Sequence, residues 1–510
     1  MWRNYSAVQF LRLIVRCNNI KQLHQFHAHT IATGLLSLYP RSILTNILHT
    51  FTNTLKCSPA PNSPLGLLSY ALSVFNSIQN PSTFSYNNII RAHTLLSSPL
   101  PALLLFSRMR RLSIPPDFHT FPFALKASAQ LVALSVAETL HSQSLKLGFA
   151  ADSFVQNSLI HAYSVSNCIV KAYQVFNESS YRDVVSYNVM IDGFVKAGEI
   201  VRGRELFDEM PVRDAVSWNT ILTGYAQTNN YKEAIVFFNQ MLALGLKPDN
   251  IALVAALSAC AHLGELELGK AIHNYIKWNR IPIDCFLSTS LVDLYAKCGC
   301  IESARDIFDT SPDKNMFTWN ALLVGLAMHG HDHLLLDYFS RMVQAGVQPD
   351  GVSFLGVLVG CSHAGLVREA QKLFEEMESI YGVPRELKHY GCMADLLGRA
   401  GLIEDAIRMI KRMPMGGDVH VWGGLLGGCG TYGNVEIAKK AAGHVIELKP
   451  KDAGVYSIMA NIYANAEQWD DVVQIRRSMK TNKVKKKIGC SLIQLNRATH
   501  EFIAGDSSHP

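Results

Sequence analysis

Asparagine recurs down this chain at positions that a repeating structure would superimpose: Asn87, Asn157, Asn188, Asn219 and Asn320. The steps between them are 70, 31, 31 and 101 residues, all combinations of 31 and 35. Each step ends on a second polar residue. Asp117, Asp183, Asp214, Asp249 and Asp350 close the steps that open on those asparagines, and Asn315 closes one that carries Thr289. A side-chain amide offers a donor and an acceptor side by side, whereas a carboxylate only accepts. An Asn with an Asp at fixed spacing can therefore hold one hydrogen-bonding edge in one orientation. Polar and exposed in unit after unit, the two positions are expected to face a surface that reads something repetitive.

The elements that position them follow from the period. A repeat in the thirties means a solenoid whose units bury their apolar faces only against their neighbours. In Ala215–Asp249, Trp218, Ile221, Leu222 and Tyr225 trace one helical stripe and Ala234, Phe237, Phe238 and Met241 a second. Thr228-Asn229-Asn230 breaks the two apart, and Gly245 and Pro248 end the unit. Helix, turn, helix, turn is the hairpin of an all-α solenoid. A small-then-large stripe recurs as Ala172, Val175 and Phe176, as Gly203, Leu206 and Phe207, and as Ala304, Ile307 and Phe308. These are core residues.

Composition agrees. The chain has 510 residues, too many for one core, yet a solenoid core grows in one dimension. Hydrophobic residues at 48% and charged ones at 17% exclude a disordered chain. No apolar run reaches the ~18–20 residues of a membrane span. The 11 cysteines are scattered and read as reduced thiols, mostly core. Net charge is +6 and uneven, for no Asp or Glu precedes Asp117. The acid-free, Arg-bearing Met1–Cys17 has the composition of a short organelle transit segment, while Phe10–Leu35 also scans as a first repeat. Lys483, Lys485, Lys486 and Lys487 read as a solvated face.

The units resemble pentatricopeptide repeats of the plant PLS type, in which three repeat lengths alternate. Val184–Asp214 and Cys285–Asn315 correspond to short repeats, and Ala215–Asp249 and Met316–Asp350 to standard ones. Asn250–Asp284, with Leu257-Ser258-Ala259-Cys260-Ala261-His262 and Gly269-Lys270-Ala271-Ile272-His273, resembles the long variant, as does Phe118–Asp152 with Leu140-His141. About twelve repeats span residues 6–418 on this reading, with a Pro/Ser-rich insertion at Lys56–Pro64 expected to bulge as a loop. Gly360-Cys361-Ser362-His363-Ala364-Gly365 and His389-Tyr390-Gly391-Cys392-Met393-Ala394-Asp395-Leu396-Leu397-Gly398-Arg399 resemble the closing repeats of editing-type members. Val421-Trp422-Gly423-Gly424-Leu425-Leu426 and Tyr456-Ser457-Ile458-Met459-Ala460-Asn461 resemble two E motifs, placed at 419–496. Residues 497–510 resemble the start of the DYW module that follows in the family.

The resemblance implies a right-handed α-solenoid of antiparallel helical hairpins that binds single-stranded organellar RNA, one base per repeat. Asn would meet a pyrimidine edge, and the terminal Asp would orient it. Three residues before each reader, Phe84, Phe154, Val185, Val216, Phe286 and Phe317 would pack on the base face, worth ~1–3 kcal/mol per base. Pair by pair, Asn87/Asp117, Asn157/Asp183, Asn188/Asp214, Asn219/Asp249 and Asn320/Asp350 imply uridine with cytidine second; Thr289/Asn315 implies adenine. Pro122, Val254 and Leu355 of the long repeats cannot hydrogen-bond and are left blank, as are the departing Leu355/Glu386 and Gly391/Asp418. The implied target is U-n-U-U-U-n-A-U, 5′ to 3′.

No catalytic residue, metal or cofactor is assigned. Gly264–Ala271 approaches a phosphate loop but ends in Ala where a Mg²⁺-binding hydroxyl is needed. Cys298 and Cys300 are too close for a zinc pair, and His329, His331 and His333 lack companion ligands. A zinc deaminase needs His-x-Glu and Cys-x-x-Cys, and the sequence has neither. The resemblance therefore implies a site-recognition factor for C-to-U RNA editing in mitochondria, or alternatively chloroplasts. Its E region would dock a DYW-type deaminase in trans, together with multiple organellar RNA-editing factor proteins. Two rivals stand beside it: an RNA-binding factor acting by occupancy, and a protein–protein scaffold.

Overall fold

The computed structural model describes residues 14, 17, 19–57, 64–414, 416–484, 489–495 and 498–503. Met1–Cys17 lies outside these except for Ile14 and Cys17, as does most of the Lys56–Pro64 insertion, between a helix ending at Cys57 and one beginning at Pro64. Among the described residues 28 helices follow one another, ending in a two-stranded ribbon. The chain divides into two compact units, residues 1–230 with 241–247, and residues 231–240 with 248–510.

Within each unit the helices alternate as the sequence period predicts. First helices such as Thr83–Leu95, Ser153–Val165, Val184–Lys196, Cys285–Lys297 and Met316–Met328 each have 13 residues. The two repeat lengths arise in the second helix. It has 10 residues in Ile169–Glu178, Ile200–Glu209 and Ile301–Thr310, but 13 in Pro99–Arg111 and Asp332–Gln344. The shortened helices leave carbonyls to satisfy. Arg182 Nε donates to Phe176 O at 3.0 Å and Arg213 Nε to Phe207 O at 2.9 Å, each guanidinium lying over the ring of that same Phe. A cation at a helix C-terminus suits both the orphan carbonyls and the dipole.

The core is the predicted stripe. Ala172, Val175, Phe176, Leu206, Phe207, Ala304 and Phe308 are buried, and Ile307 is half-buried. Small residues set how closely first helices approach: a Cβ on Gly325 would lie 2.3 Å from Ala296 Cβ. Gly299, at φ +78°, makes the turn after Cys298, so Lys297–Cys300 is a helix–helix connection. Of the nine cysteines whose side chains are described, three are buried and six half-buried, so these thiols are less uniformly core than the sequence suggested.

Two further hairpins follow residue 418: Val419–Tyr432 with Val435–Leu448, and Ala453–Asn465 with Trp469–Thr481. The first is held unusually close to the preceding repeat. A Cβ on Gly428 would lie 2.3 Å from Gly398 Cα, so helices Leu387–Arg399 and Val419–Tyr432 touch backbone to backbone. Strands β1 (Cys490–Leu495) and β2 (Ala498–Ile503) then pair antiparallel, with Cys490 opposite Ile503. The ribbon was not foreseen from the sequence. No described helix is long and apolar enough to cross a membrane.

Candidate nucleic-acid interface

The last residue of each repeat begins the next first helix. Asp152, Asp183, Asp214, Asp249, Asp284, Asn315 and Asp350 are all N-caps whose side chains accept backbone N–H groups of the first turn. Asp117 does the same for His119 and Thr120 N–H, at 3.0 and 2.9 Å. The ladder asparagines are not caps. They are the fifth residues of their repeats, one turn into the helix, with their backbone groups already committed.

Three of the amide–carboxylate pairs close directly. Asn87 Nδ2 donates to Asp117 Oδ1 at 2.9 Å, Asn188 Nδ2 to Asp214 Oδ1 at 3.1 Å, and Asn320 Nδ2 to Asp350 Oδ1 at 3.0 Å. The cap is thereby used twice, for its own helix and for the preceding repeat's Asn. No hydrogen bond joins Asn157 to Asp183, whose carboxylate instead holds Ser186. Thr289 reaches Asn315 only through Thr318, whose hydroxyl is 2.8 Å from Thr289 Oγ1 and 3.1 Å from Asn315 Oδ1. Asn219 is buried in the first unit, and Asp249 caps the helix Asn250–Leu263 of the second.

A third member was missed. Thr120 Oγ1 donates to Asn87 Oδ1 at 2.7 Å and Ser353 Oγ to Asn320 Oδ1 at 2.6 Å. Both amides are thus pinned at each end, nitrogen to carboxylate and oxygen to hydroxyl. At Asn188 the corresponding hydroxyl, Ser217, gives its proton to Asp214, and the buried Asn188 Oδ1 is left without a partner. The signal was present in the sequence as Asp-x-x-Ser/Thr, the spacing of a helix-capping box. In Ser353 the capping box also places Oγ to accept Asp350 N–H.

Burial corrects the expectation that both positions are exposed. Asn87, Asn188, Asn219 and Asn320 are only 5–8% exposed. Asn157 and Thr289 are half-buried, as are the unassigned Pro122, Val254 and Leu355. The exposed side chains are the apolar ones three residues earlier. Phe84, Phe154, Val185, Val216, Phe286 and Phe317 are 48–71% exposed, with Ile251 and Val352 exposed at the same places in two long repeats. Within each unit, apolar side chains facing water beside recessed polar edges suit stacked bases.

The carboxylates remain ionised through hydrogen bonding. Burial alone would raise the pKa of Asp117, Asp214 and Asp350. Donors from the paired Asn, the hydroxyl at the third helical position and backbone N–H groups outweigh it and hold all three below the ordinary carboxylate value. Among the described residues no group of three or more His, Cys, Asp or Glu could hold a metal ion.

Comparison with known proteins bears on this geometry. The family described as PPR repeat matches residues 157–183, 185–214, 286–315, 317–347, 352–380 and 388–417, and the PPR repeat family matches 213–262. A pentatricopeptide repeat-containing protein of Arabidopsis thaliana is 53% identical over 500 residues, covering 96% of this chain and 99% of the relative. The chain belongs to the pentatricopeptide repeat family. A second Arabidopsis relative, whose name carries the words chloroplastic/mitochondrial, is 34% identical over 510 residues, covering 97% of this chain and 73% of that protein. The crystal structure of the pentatricopeptide repeat protein PPR10 in complex with an 18-nt psaJ RNA element superposes with a TM-score of 0.67. It covers 94% of this chain and 74% of that one, at 16% identity. That likeness concerns the fold.

Within this pentatricopeptide repeat protein, the E motif matches residues 432–494, which take in helix Val435–Leu448, the hairpin Ala453–Asn465 with Trp469–Thr481 and most of β1, starting later than the 419 expected from the sequence. The histidine that recurs in the long repeats, in Leu140-His141 and Ile272-His273, has a packing explanation. His141 and His273 place Nδ1 2.9 Å from the hydroxyls of Tyr163 and Tyr295 in the next repeat. Burial lowers both imidazole pKa values, that of His273 to about 4. In the repeat that begins at Leu387, His389 takes the place of the hydroxyl, its ring bridging Glu386 N–H and Gly351 O.

Proposed function

We propose that this pentatricopeptide repeat protein binds single-stranded organellar RNA one base per repeat and marks a site for C-to-U editing. The observation that carries the reading is the recurrence of one device, an Asn amide clamped to the next helix's capping carboxylate beside an exposed apolar side chain. Clamped, the amide presents its second N–H and its carbonyl in a fixed order, and the apolar neighbour supplies a face for the base. The readers are Asn87/Asp117, Asn157/Asp183, Asn188/Asp214, Asn219/Asp249 and Asn320/Asp350 for uridine, and Thr289/Asn315 for adenine. They give U-n-U-U-U-n-A-U. Phe84, Phe154, Val185, Val216, Phe286 and Phe317 support the bases.

The E-motif region is the feature that favours editing over simple occupancy, since a blocking protein has no need of it. In this reading it docks a DYW-type deaminase and multiple organellar RNA-editing factor proteins, and the chain itself is not the catalyst. The acid-free, Arg-spaced start favours the mitochondrion, with the chloroplast as alternative. Sequencing organellar transcripts from plants with and without the gene tests it. Loss of conversion at one or a few cytidines just downstream of a matching stretch is expected. Intact editing with altered transcript ends, splicing or abundance would replace the editing role with occupancy.

A further inference from the structure

The long repeat Asn250–Asp284 has Val254 at its fifth position, so the assigned pairs leave its base unread. Its first residue changes that. Asn250 Nδ2 donates to Asp284 Oδ2 at 2.9 Å, the same amide-to-carboxylate bond that closes Asn87/Asp117. The carboxylate divides its work, for Asp284 Oδ1 accepts Leu287 N–H at 2.8 Å and caps the next helix. Asn250 and Val254 are four residues apart, so they share one helix face a single turn apart. Beside them Ile251 is exposed at the place the base-supporting apolar residues hold elsewhere.

We propose that Asn250, held by Asp284, reads a pyrimidine at the sixth base of the target in place of Val254. The proposal rests on the one-base-per-repeat reading above. The bond to Asp284 uses one amide hydrogen. The second hydrogen and the carbonyl oxygen remain, a donor and an acceptor side by side, matching the adjacent donor and acceptor of a pyrimidine Watson–Crick edge. Asn250 is half-buried and Asp284 exposed, so this pair is more open than the ladder pairs. The other long repeats supply internal contrasts. Phe118 and Gly351 occupy the first position there, and neither side chain can make the bond. The second base, opposite Phe118–Asp152, therefore stays unread while the sixth does not.

The test is fluorescence anisotropy with the full chain and synthetic single-stranded RNAs, at one ionic strength, varying one base at a time. At the sixth base U or C should bind at least about fivefold tighter than A or G, the lower end of what one bidentate amide–base pair discriminates. At the second base all four should bind alike. Asn250→Ala should erase the preference at the sixth base and keep those at the third, fourth, fifth and eighth. Asn250→Ser, which keeps a short polar side chain, controls for folding, with thermal melting of both variants alongside. Equal binding of four bases at the sixth place, with discrimination intact elsewhere, overturns the proposal. So does an Asn250→Ala variant that weakens every RNA equally, which would make the bond only a tie between helices. Absence of discrimination at every base would remove the one-base-per-repeat reading itself.

Discussion

Asn320 donates to Asp350 Oδ1 at 3.0 Å, and the same oxygen accepts the N–H groups of Val352 and Ser353 at 3.0 and 2.9 Å. One carboxylate oxygen thus starts a helix and orients a side chain of the preceding repeat. Changing the base preference need not sacrifice the cap, because Asn315 caps the previous boundary with its own Oδ1. The double substitution Asn320→Thr with Asp350→Asn should move the preferred eighth base from uridine to adenine. The other positions should be unaffected. Anisotropy titrations against the four RNAs check this, and loss of binding to all four would mean that the pair holds the fold instead.

The hydroxyl of Ser353 gives a graded version of the same test. Ser353→Ala removes the donor to Asn320 Oδ1 and half of the capping box. A cost of ~1 kcal/mol in stability is expected. The amide loses its second anchor, so discrimination at the eighth base should weaken. Ser217→Ala should cost similar stability but leave the fourth base's preference intact, because Ser217 makes no bond to Asn188. Melting temperatures and base panels of the two variants, compared together, separate capping from amide orientation.

The repeat length, the hairpins and the pairing of Asn with a residue about 30 positions on were legible because they depend on period and residue type. The burial of the amides was not. Whether Asn188 lies open or recessed depends on how closely neighbouring helices pack, which its own residue type and spacing do not state. Thr289 and Asn315 look like a pair in sequence, yet Thr318 stands between them. Asn157 and Asp183 have the same identities as Asn188 and Asp214 and the same serine on the carboxylate, yet only the second pair makes the amide bond, a difference that residue type does not carry. The terminal ribbon was invisible because two short strands carry little periodic signal beside long helices.

His273 ties stability to pH. Its imidazole sits buried against Tyr295, and burial lowers its pKa from the usual 6.5 to about 4. The unfolded chain therefore takes up a proton between those values that the folded chain refuses. Above pH 6.5 both states are neutral and there is no penalty. As pH falls from 6.5 towards 4 stability declines, by an amount on the order of 3 kcal/mol for this group. His273→Asn, which can still hydrogen-bond Tyr295 but does not titrate, should flatten that slope in thermal melts at stepped pH. An unchanged slope would assign it to other histidines.

The backbone contact between Gly398 and Gly428 separates the hairpins after residue 418 from RNA binding. Deleting 419–510 would strip the cover from helix Leu387–Arg399, so lost activity would not separate lost docking from lost solubility, as happens when a solenoid loses its terminal cap. A point substitution is cleaner. Any Cβ at 428 would stand 2.3 to 2.7 Å from the Gly398 Cα, carbonyl carbon and oxygen, backbone atoms that cannot turn aside. Gly428→Val should therefore displace the following hairpin at a local cost of ~1–3 kcal/mol. The base readers lie between residues 87 and 350, far enough along the array that RNA affinity should stay within about twofold, as for independent sites. If the hairpins present the docking surface for the deaminase, editing in complemented plants should fall sharply with the same protein abundance. Full editing by a Gly428→Val protein that still binds RNA would place the docking surface elsewhere.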